Sequence, residues 1–255
     1  MKTIDCDMST DSAWEEWGRR DPYFGVITDP KFRRGNITDD TKQEFFESGA
    51  SHVSHVMKVI HQHIDANFCP KRVLDFGCGV GRVLVPFAGI AQGVVGLDVS
   101  PSMLKEAKRN CEEREATNIE LLLSDDALSS LSSGFDLIHS FIVFQHIPIE
   151  RGLLIFSQLL QHLNPGGVGA VQLTYYKAYD TAPSRAGLFE RLRHRYRRQD
   201  KRLEPSVDPD PVMQMNPYNL NSILFLMQEI GVARFYADFT NHGGELGTFL
   251  FFQRP

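Results

Sequence analysis

Residues 73–81, VLDFGCGVG, run from a short apolar stretch through Asp75 into glycines at 77, 79 and 81, and a helical run follows. A strand that ends in an acid and turns on spaced glycines lets the backbone bend tightly and approach a ligand where a Cβ would intrude. Spaced glycines alone also suit dinucleotide-binding folds, so the residues that follow carry the weight. Asp98 closes the next apolar run, VVGLDV, where an acidic side chain can accept from both hydroxyls of a ribose. SDDA, residues 124–127, closes a third run, where a carboxylate can accept from an adenine amino group.

Outward from this loop the texture stays regular. RVLDFG, VVGLDV, IELLLSD, FDLIHSF and GVGAVQLTY read as strands, and PSMLKEAKRNCEERE and ERGLLIFSQLLQHLN as helices, the latter stopping at a sharp NPGG turn. Apolar strands alternating with helices indicate a parallel sheet covered on both faces. NLNSILFLMQEIG reads as a last helix ending at Gly231, and RFYADFT and GTFLFFQR, joined by NHGGEL, as an antiparallel hairpin. The expected architecture is a doubly wound α/β fold with a mostly parallel seven-stranded sheet and a C-terminal antiparallel hairpin. Residues 1–69 read as an N-terminal lid and helical cover: a short helix around Trp14 to Arg20, a largely irregular segment, and a helix from Thr41 to about Phe68. Residues 70–255 form the main domain. Within it, residues 177–215 read as a cap inserted late, first basic (RLRHRYRRQDKR) and then proline-rich.

The glycine loop, Asp98, the SDDA carboxylates and the terminal hairpin together resemble the class I (Rossmann-like) S-adenosylmethionine-dependent methyltransferases, from about Arg72 to the C-terminus. The resemblance implies S-adenosyl-L-methionine as cofactor and S-adenosyl-L-homocysteine as product. It implies that the loop of Asp75, Gly77, Cys78, Gly79 and Gly81 lies under the methionine part, and that Asp98 holds the ribose with Val99 flanking the adenine. Asp125 or Asp126, beside Ala127, would bind the adenine, with Asp125 favoured by spacing; Ser140 at the end of the fourth strand completes the set. Taken singly, Asp75 reads equally well as a turn cap and Asp98 as a helix cap. Their order on successive strands favours the cofactor site.

Methyl transfer from a sulfonium is an in-line displacement, and much of its catalysis comes from holding two centres close and aligned. A general base helps a hydroxyl acceptor and is dispensable for a thiol or an unprotonated amine. After the fourth strand, HSFIVFQHIP has Gln145 and His146 as polar members of an apolar run. His146 resembles a histidine found there in many small-molecule methyltransferases. It reads as a base that titrates near neutrality, or as a local structural contact. Substrate-side candidates are Tyr175 and Tyr176 at the end of the fifth strand, His242 and Glu245 in the hairpin turn, and Tyr23 in WGRRDPYFG. Each reads alternatively as packing or turn chemistry. His52, His55, His61 and His63 share one helical stretch with no carboxylate at ligand spacing, so they read as a solvated face and no metal site is expected.

A net charge of −5 argues against general affinity for nucleic acid or acidic membranes, although the basic run at 191–202 could meet an anionic acceptor or an RNA backbone. The acceptor is expected to be a small molecule, anionic if those arginines take part, and methylated on O or N. The other readings are an RNA methyltransferase using the arginine-rich insertion and a cofactor-binding protein without turnover. No apolar run approaches the ~20 residues that span a bilayer. The N-terminal stretch lacks an apolar signal core, and the four cysteines form no C-x-x-C pair. The expected location is the cytoplasm.

Overall fold

The computed structural model describes residues 9–132, 134–178 and 210–255. The basic run at 191–202 and most of the 177–215 insertion lie outside the described residues. Among the described residues the strands form one sheet: β1 (Arg72–Phe76), β2 (Gly93–Asp98), β3 (Ile119–Leu123), β4 (Phe135–Ser140), β5 (Leu163–Lys177), β6 (Phe235–His242) and β7 (Glu245–Gln253). Their order is β3-β2-β1-β4-β5-β7-β6. The first five run parallel, and β7 lies antiparallel between β5 and β6. The expected hairpin and seven-stranded sheet are both present.

Alternation along the strands divides the interior in two, because successive side chains face opposite sides of a sheet. Val73, Val94, Leu137 and Phe251 pack with α3 (Asp39–His63) and α4 (Leu84–Ala88), through Val56, Ile60 and Phe87. Leu74, Val95, Ile138 and Phe252 pack on the other side with α6 (Ile149–His162) and α7 (Leu220–Glu229), through Phe156, Leu159 and Ile223. Each such fully buried side chain contributes about 1.5–3 kcal/mol relative to exposure. No helix among the described residues is long and apolar enough to cross a membrane.

The N-terminal residues form a third cluster. α1 (Thr10–Arg20) is followed by α2 (Pro22–Val26) and a 3₁₀ turn at Pro30–Phe32, so the segment read as irregular holds two short helical elements. Pro22 at the first helical position and the burial of Trp17, Tyr23 and Phe32 with Phe45 and Phe46 of α3 explain this order. α3 ends at His63, short of Phe68. The NPGG turn is absorbed as an irregularity: α6 passes directly into β5, the register with β4 shifts between Phe135 and Leu137, and the Gly166 amide donates to Arg254 O at 2.8 Å.

α1 is fastened to the start of α5 (Pro101–Glu113) by one carboxylate. Glu15 accepts from Ser100 Oγ (2.7 Å), Ser102 N (3.0 Å) and Ser102 Oγ (2.6 Å). An acid at a helix N-terminus is also favoured by the helix dipole. Burial alone would raise the Glu15 carboxyl, but the bonds from Ser102 and Ser100 outweigh it and hold it below its ordinary value. A carboxyl so lowered stabilises the fold above its unfolded value of 4.5, and the contribution is lost as pH falls through the lowered folded value. Glu15→Ala is expected to cost on the order of 1 kcal/mol in denaturant melts at pH 7. The difference from wild type should shrink as the melts are taken below pH 4.5.

Candidate cofactor and acceptor site

A cavity of about 780 Å³ opens at the carboxyl ends of β1, β2 and β4, where open α/β sheets bind ligands. Its floor is the glycine loop. Gly77 has φ +78°, and a Cβ there would stand 2.3 Å from Val143, so the turn admits only glycine. The amides of Gly77 and Cys78 both donate to Leu97 O, at 2.8 and 2.9 Å. The Gly79 amide donates to Asp98 Oδ2 at 2.8 Å, and the Ser100 amide to Asp98 Oδ1 at 2.9 Å. Burial pushes the Asp98 carboxyl up to about 6, despite the opposing pull of these amides. A carboxylate has about four lone-pair sites. With two amides bound, Asp98 keeps capacity toward the cavity that it lines together with Val99.

The two SDDA acids separate. Asp125 turns away from the cavity and accepts from Ser129 N at 2.9 Å and from the Ser129 hydroxyl, as a turn cap. Asp126 lines the cavity and accepts from Arg151 Nε at 2.6 Å, while Arg151 forks onto both Asp11 oxygens at 2.7 and 2.8 Å. The spacing argument favoured Asp125, which the bonds to Ser129 hold outside the cavity lining. Cys78, Gly81, Ala127 and Ser140 do not line the cavity. The Cys78 thiol is buried and pushed well up, and Ser140 Oγ donates to Phe76 O at 3.0 Å.

Asp75 lies beneath the loop, away from the cavity. Its Oδ1 is 2.7 Å from His139 Nδ1, and His139 Nε2 is 2.8 Å from His52 Nε2. His52, half-buried, lines the cavity from α3 together with the exposed His55, so the reading as a solvated face is corrected for His52 and holds for His55, His61 and His63, which are exposed. Burial, then His139, Arg82 and His55, push His52 down to about 2. Of the exposed two, His61 bonds Phe68 O at 2.9 Å and His63 stacks on Tyr236 at 3.8 Å. Among the described residues no three His, Cys, Asp or Glu side chains gather as a metal group. A signal for the missed pair was available. Asp75 and His139 are polar members of two otherwise buried strands, and the register sets them side by side.

Arg82 was also missed. It lines the cavity, its only hydrogen bond among the described residues is a 3.4 Å contact to Ser48 Oγ, and none of them pairs with it as a salt bridge. Burial pushes its guanidinium down from its ordinary value, against the pull of Asp75.

Gln145, His146 and His242 do line the cavity. His146 is held on both sides: Nδ1 lies 2.8 Å from Gln214 O, Nε2 lies 3.3 Å from Gln145 Nε2, and Trp14 packs edge-on at 4.9 Å. Burial pushes it down to about 4, against the Gln214 bond. Gln145 in turn accepts from Thr174 Oγ1 at 2.7 Å. Tyr23, Tyr175, Tyr176 and Glu245 stand outside the lining. The Tyr23 hydroxyl lies 2.6 Å from Glu106 and 2.7 Å from Asn110, and Tyr175 packs on Phe239. Tyr176 and Glu245 sit on paired strands, opposite Leu246 and Lys177.

Residues 73–167 match the family model described as a methyltransferase domain. Over those residues the chain carries a methyltransferase domain, similar to the class I S-adenosylmethionine-dependent enzymes. It is 35% identical over 97 residues to the aklanonic acid methyltransferase DauC of Streptomyces sp. (strain C5), covering 36% of this chain and 44% of that protein. It is 34% identical over 128 residues to trans-aconitate 2-methyltransferase of Deinococcus radiodurans, covering 44% and 46%. The match thus spans less than half the length of these curated relatives. The crystal structure of magnesium protoporphyrin IX methyltransferase from Synechocystis PCC 6803 with bound SAM shares the fold, with a TM-score of 0.60 at 18% identity over 99% of this chain and 100% of that one.

A histidine whose folded value lies below its unfolded one makes the unfolded state the better proton binder, so stability falls as pH drops. For His146 the window runs from the ordinary 6.5 to about 4. His146→Gln should therefore flatten the loss of stability between pH 7 and 4.5, by on the order of 1–3 kcal/mol. Denaturant melts of both proteins across that range check it.

Proposed function

We propose that this chain transfers the methyl group of S-adenosyl-L-methionine to a small acidic acceptor held in the same cavity. The observation that carries the reading is the continuity of that cavity. It joins the glycine loop and Asp98 to a chamber containing Arg82, Phe141 and Met213. Its volume of about 780 Å³ falls in the range of about 300–1,000 Å³ typical of small-molecule sites. The donor set fits the cofactor: a loop stripped of Cβ atoms, a carboxylate with free lone pairs for two ribose hydroxyls, and the apolar Val99 beside it. Asp126 is the better placed of the two SDDA acids for the adenine. When bound, the cofactor supplies a methyl group on a positively charged sulfur.

The chain's own work is then alignment and exclusion of water. Trp14, Phe141 and Met213 wall the chamber, and Gln145 and His146 form one firmly bonded edge. Arg82, half-buried and weakly bonded, is the group that would gain most from an anion, because a partly desolvated guanidinium with no salt-bridge partner among the described residues is costly. Two relatives are named for acids, aklanonic and trans-aconitic, which supports the same class. The lid role of residues 1–69 is part of this reading, with Thr10, Asp11 and Trp14 of the first helix at the cavity wall. The free thiols of Cys69, Cys78 and Cys111 suit the reducing cytoplasm.

Calorimetry tests the cofactor half. S-adenosylhomocysteine is expected to bind and NAD to bind negligibly; the opposite order defeats the reading. Asp98→Ala should weaken S-adenosylhomocysteine by roughly 1–3 kcal/mol without unfolding the protein. Because the Asp98 carboxyl titrates at about 6, wild-type affinity should also fall as pH drops below that value, and the variant should lose this dependence. For the acceptor half, carboxylic-acid metabolite fractions are incubated with methyl-labelled cofactor. Arg82→Gln should raise KM for the acceptor so found about tenfold, one charge-assisted bond, and leave cofactor affinity unchanged.

A further inference from the structure

We propose that Asp75, His139 and His52 form a proton relay from the acceptor pocket to a buried carboxylate, with His52 as the general base that takes the proton of a hydroxyl acceptor. The proposal rests on the methyltransferase reading and narrows its acceptor to a hydroxyl, because a thiol or a free amine needs no base.

Three observations carry it. First, the nitrogens are in line at hydrogen-bond distance: Asp75 Oδ1 to His139 Nδ1 at 2.7 Å, then His139 Nε2 to His52 Nε2 at 2.8 Å. With His139 Nδ1 donating to the carboxylate, its Nε2 is the acceptor, so His52 donates from Nε2 and keeps a bare Nδ1. Second, His52 lines the cavity, and its Nδ1 has no hydrogen-bond partner among the described residues. His146, by contrast, has both ring nitrogens engaged. Third, Asp75 is 2% exposed and its Oδ2 has no hydrogen-bond partner among the described residues, so the buried carboxylate gains from a cation brought against it.

The step balances. The acceptor O–H gives its proton to His52 Nδ1 as the oxygen pair forms the O–CH₃ bond, the former S–CH₃ pair remaining on sulfur. The proton on His52 Nε2 passes to His139 Nε2, and the charge comes to rest on His139 against Asp75. His52 itself never has to hold the charge, which suits its surroundings: Arg82, His55 and the ring of His139 all face it and disfavour a cation there. Across Phe141 stands His242, and Asp238 lies 3.6 Å from His55. A phenol or enol matches such a relay better than an aliphatic alcohol, since its proton, at about 10 for tyrosine, is within reach of an imidazole paired with a carboxylate.

The test uses the whole chain saturated with S-adenosylhomocysteine, whose binding by calorimetry judges the methyltransferase reading separately. Long-range ¹H–¹⁵N spectra of histidine-labelled protein at neutral pH should show His52 bare at Nδ1 and protonated at Nε2. A proton on His52 Nδ1 at rest overturns the relay. The second readout is 4-hydroxy-3-nitrobenzoate, a coloured phenol bearing a carboxylate, added below the pH of its own phenol ionisation. Wild type should convert it to the phenolate. His52→Gln and His139→Phe should lower the ionised fraction by about tenfold or more, one unit of proton affinity, while S-adenosylhomocysteine affinity is retained. Absorbance that does not differ between wild type and the folded variants overturns the base assignment, whether the phenol binds or not. Failure of S-adenosylhomocysteine to bind wild type would defeat the functional reading instead, and the histidine spectra would still decide the relay.

Discussion

The Leu97 carbonyl accepts two consecutive amides, those of Gly77 and Cys78, and one residue later the Asp98 carboxylate accepts the amide of Gly79. These bonds tie the loop after β1 to the end of β2. They give the turn its shape, and they hold Asp98 at the cavity wall with two lone pairs to spare. The sheet order makes that wall available: β1 continues outward to β2 and β3 on one side, and the chain returns to β4 and β5 on the other. The crevice at that reversal is where loops from both halves diverge.

Around this point the N-terminal residues act as a fourth wall. Glu15 clamps α1 to the start of α5 through serine hydroxyls, and separately Arg151 reaches from α6 to Asp126 and to Asp11 of α1. Arg151 thus joins the N-terminal cover to a carboxylate at the cavity wall.

The interior beneath the loop is less ordinary than its apolar strands suggest. A carboxylate and an imidazole occupy adjacent buried strand positions and connect through His52 to the pocket. Burying such polar groups costs free energy unless they are paired; Asp75 Oδ1 and both His139 nitrogens are paired, and Asp75 Oδ2 is not. Their place directly under the glycine loop couples the chemistry of the pocket wall to the core of the sheet.

Much of this was legible in the residue order. Local patterns carried it: period-two and apolar strand runs, the glycine spacing of Val73 to Gly81, an acid ending each of two further strands, and a glycine turn between β-rich runs. Such signals depend on a residue and its near neighbours, so they survive in one dimension. Tertiary structure alone decided the rest. Whether Asp125 or Asp126 faces the cavity depends on a four-residue turn bond to Ser129 and on an arginine from α6. His52 and His139 are 87 positions apart, and in sequence one is among four histidines of an amphipathic helix and the other a lone histidine in an apolar strand. Only the packing of α3 against β4, and the parallel register that sets His139 beside Asp75, turns them into a connected pair. Hydrogen bonds between distant segments follow from where whole elements pack, and no local pattern encodes them.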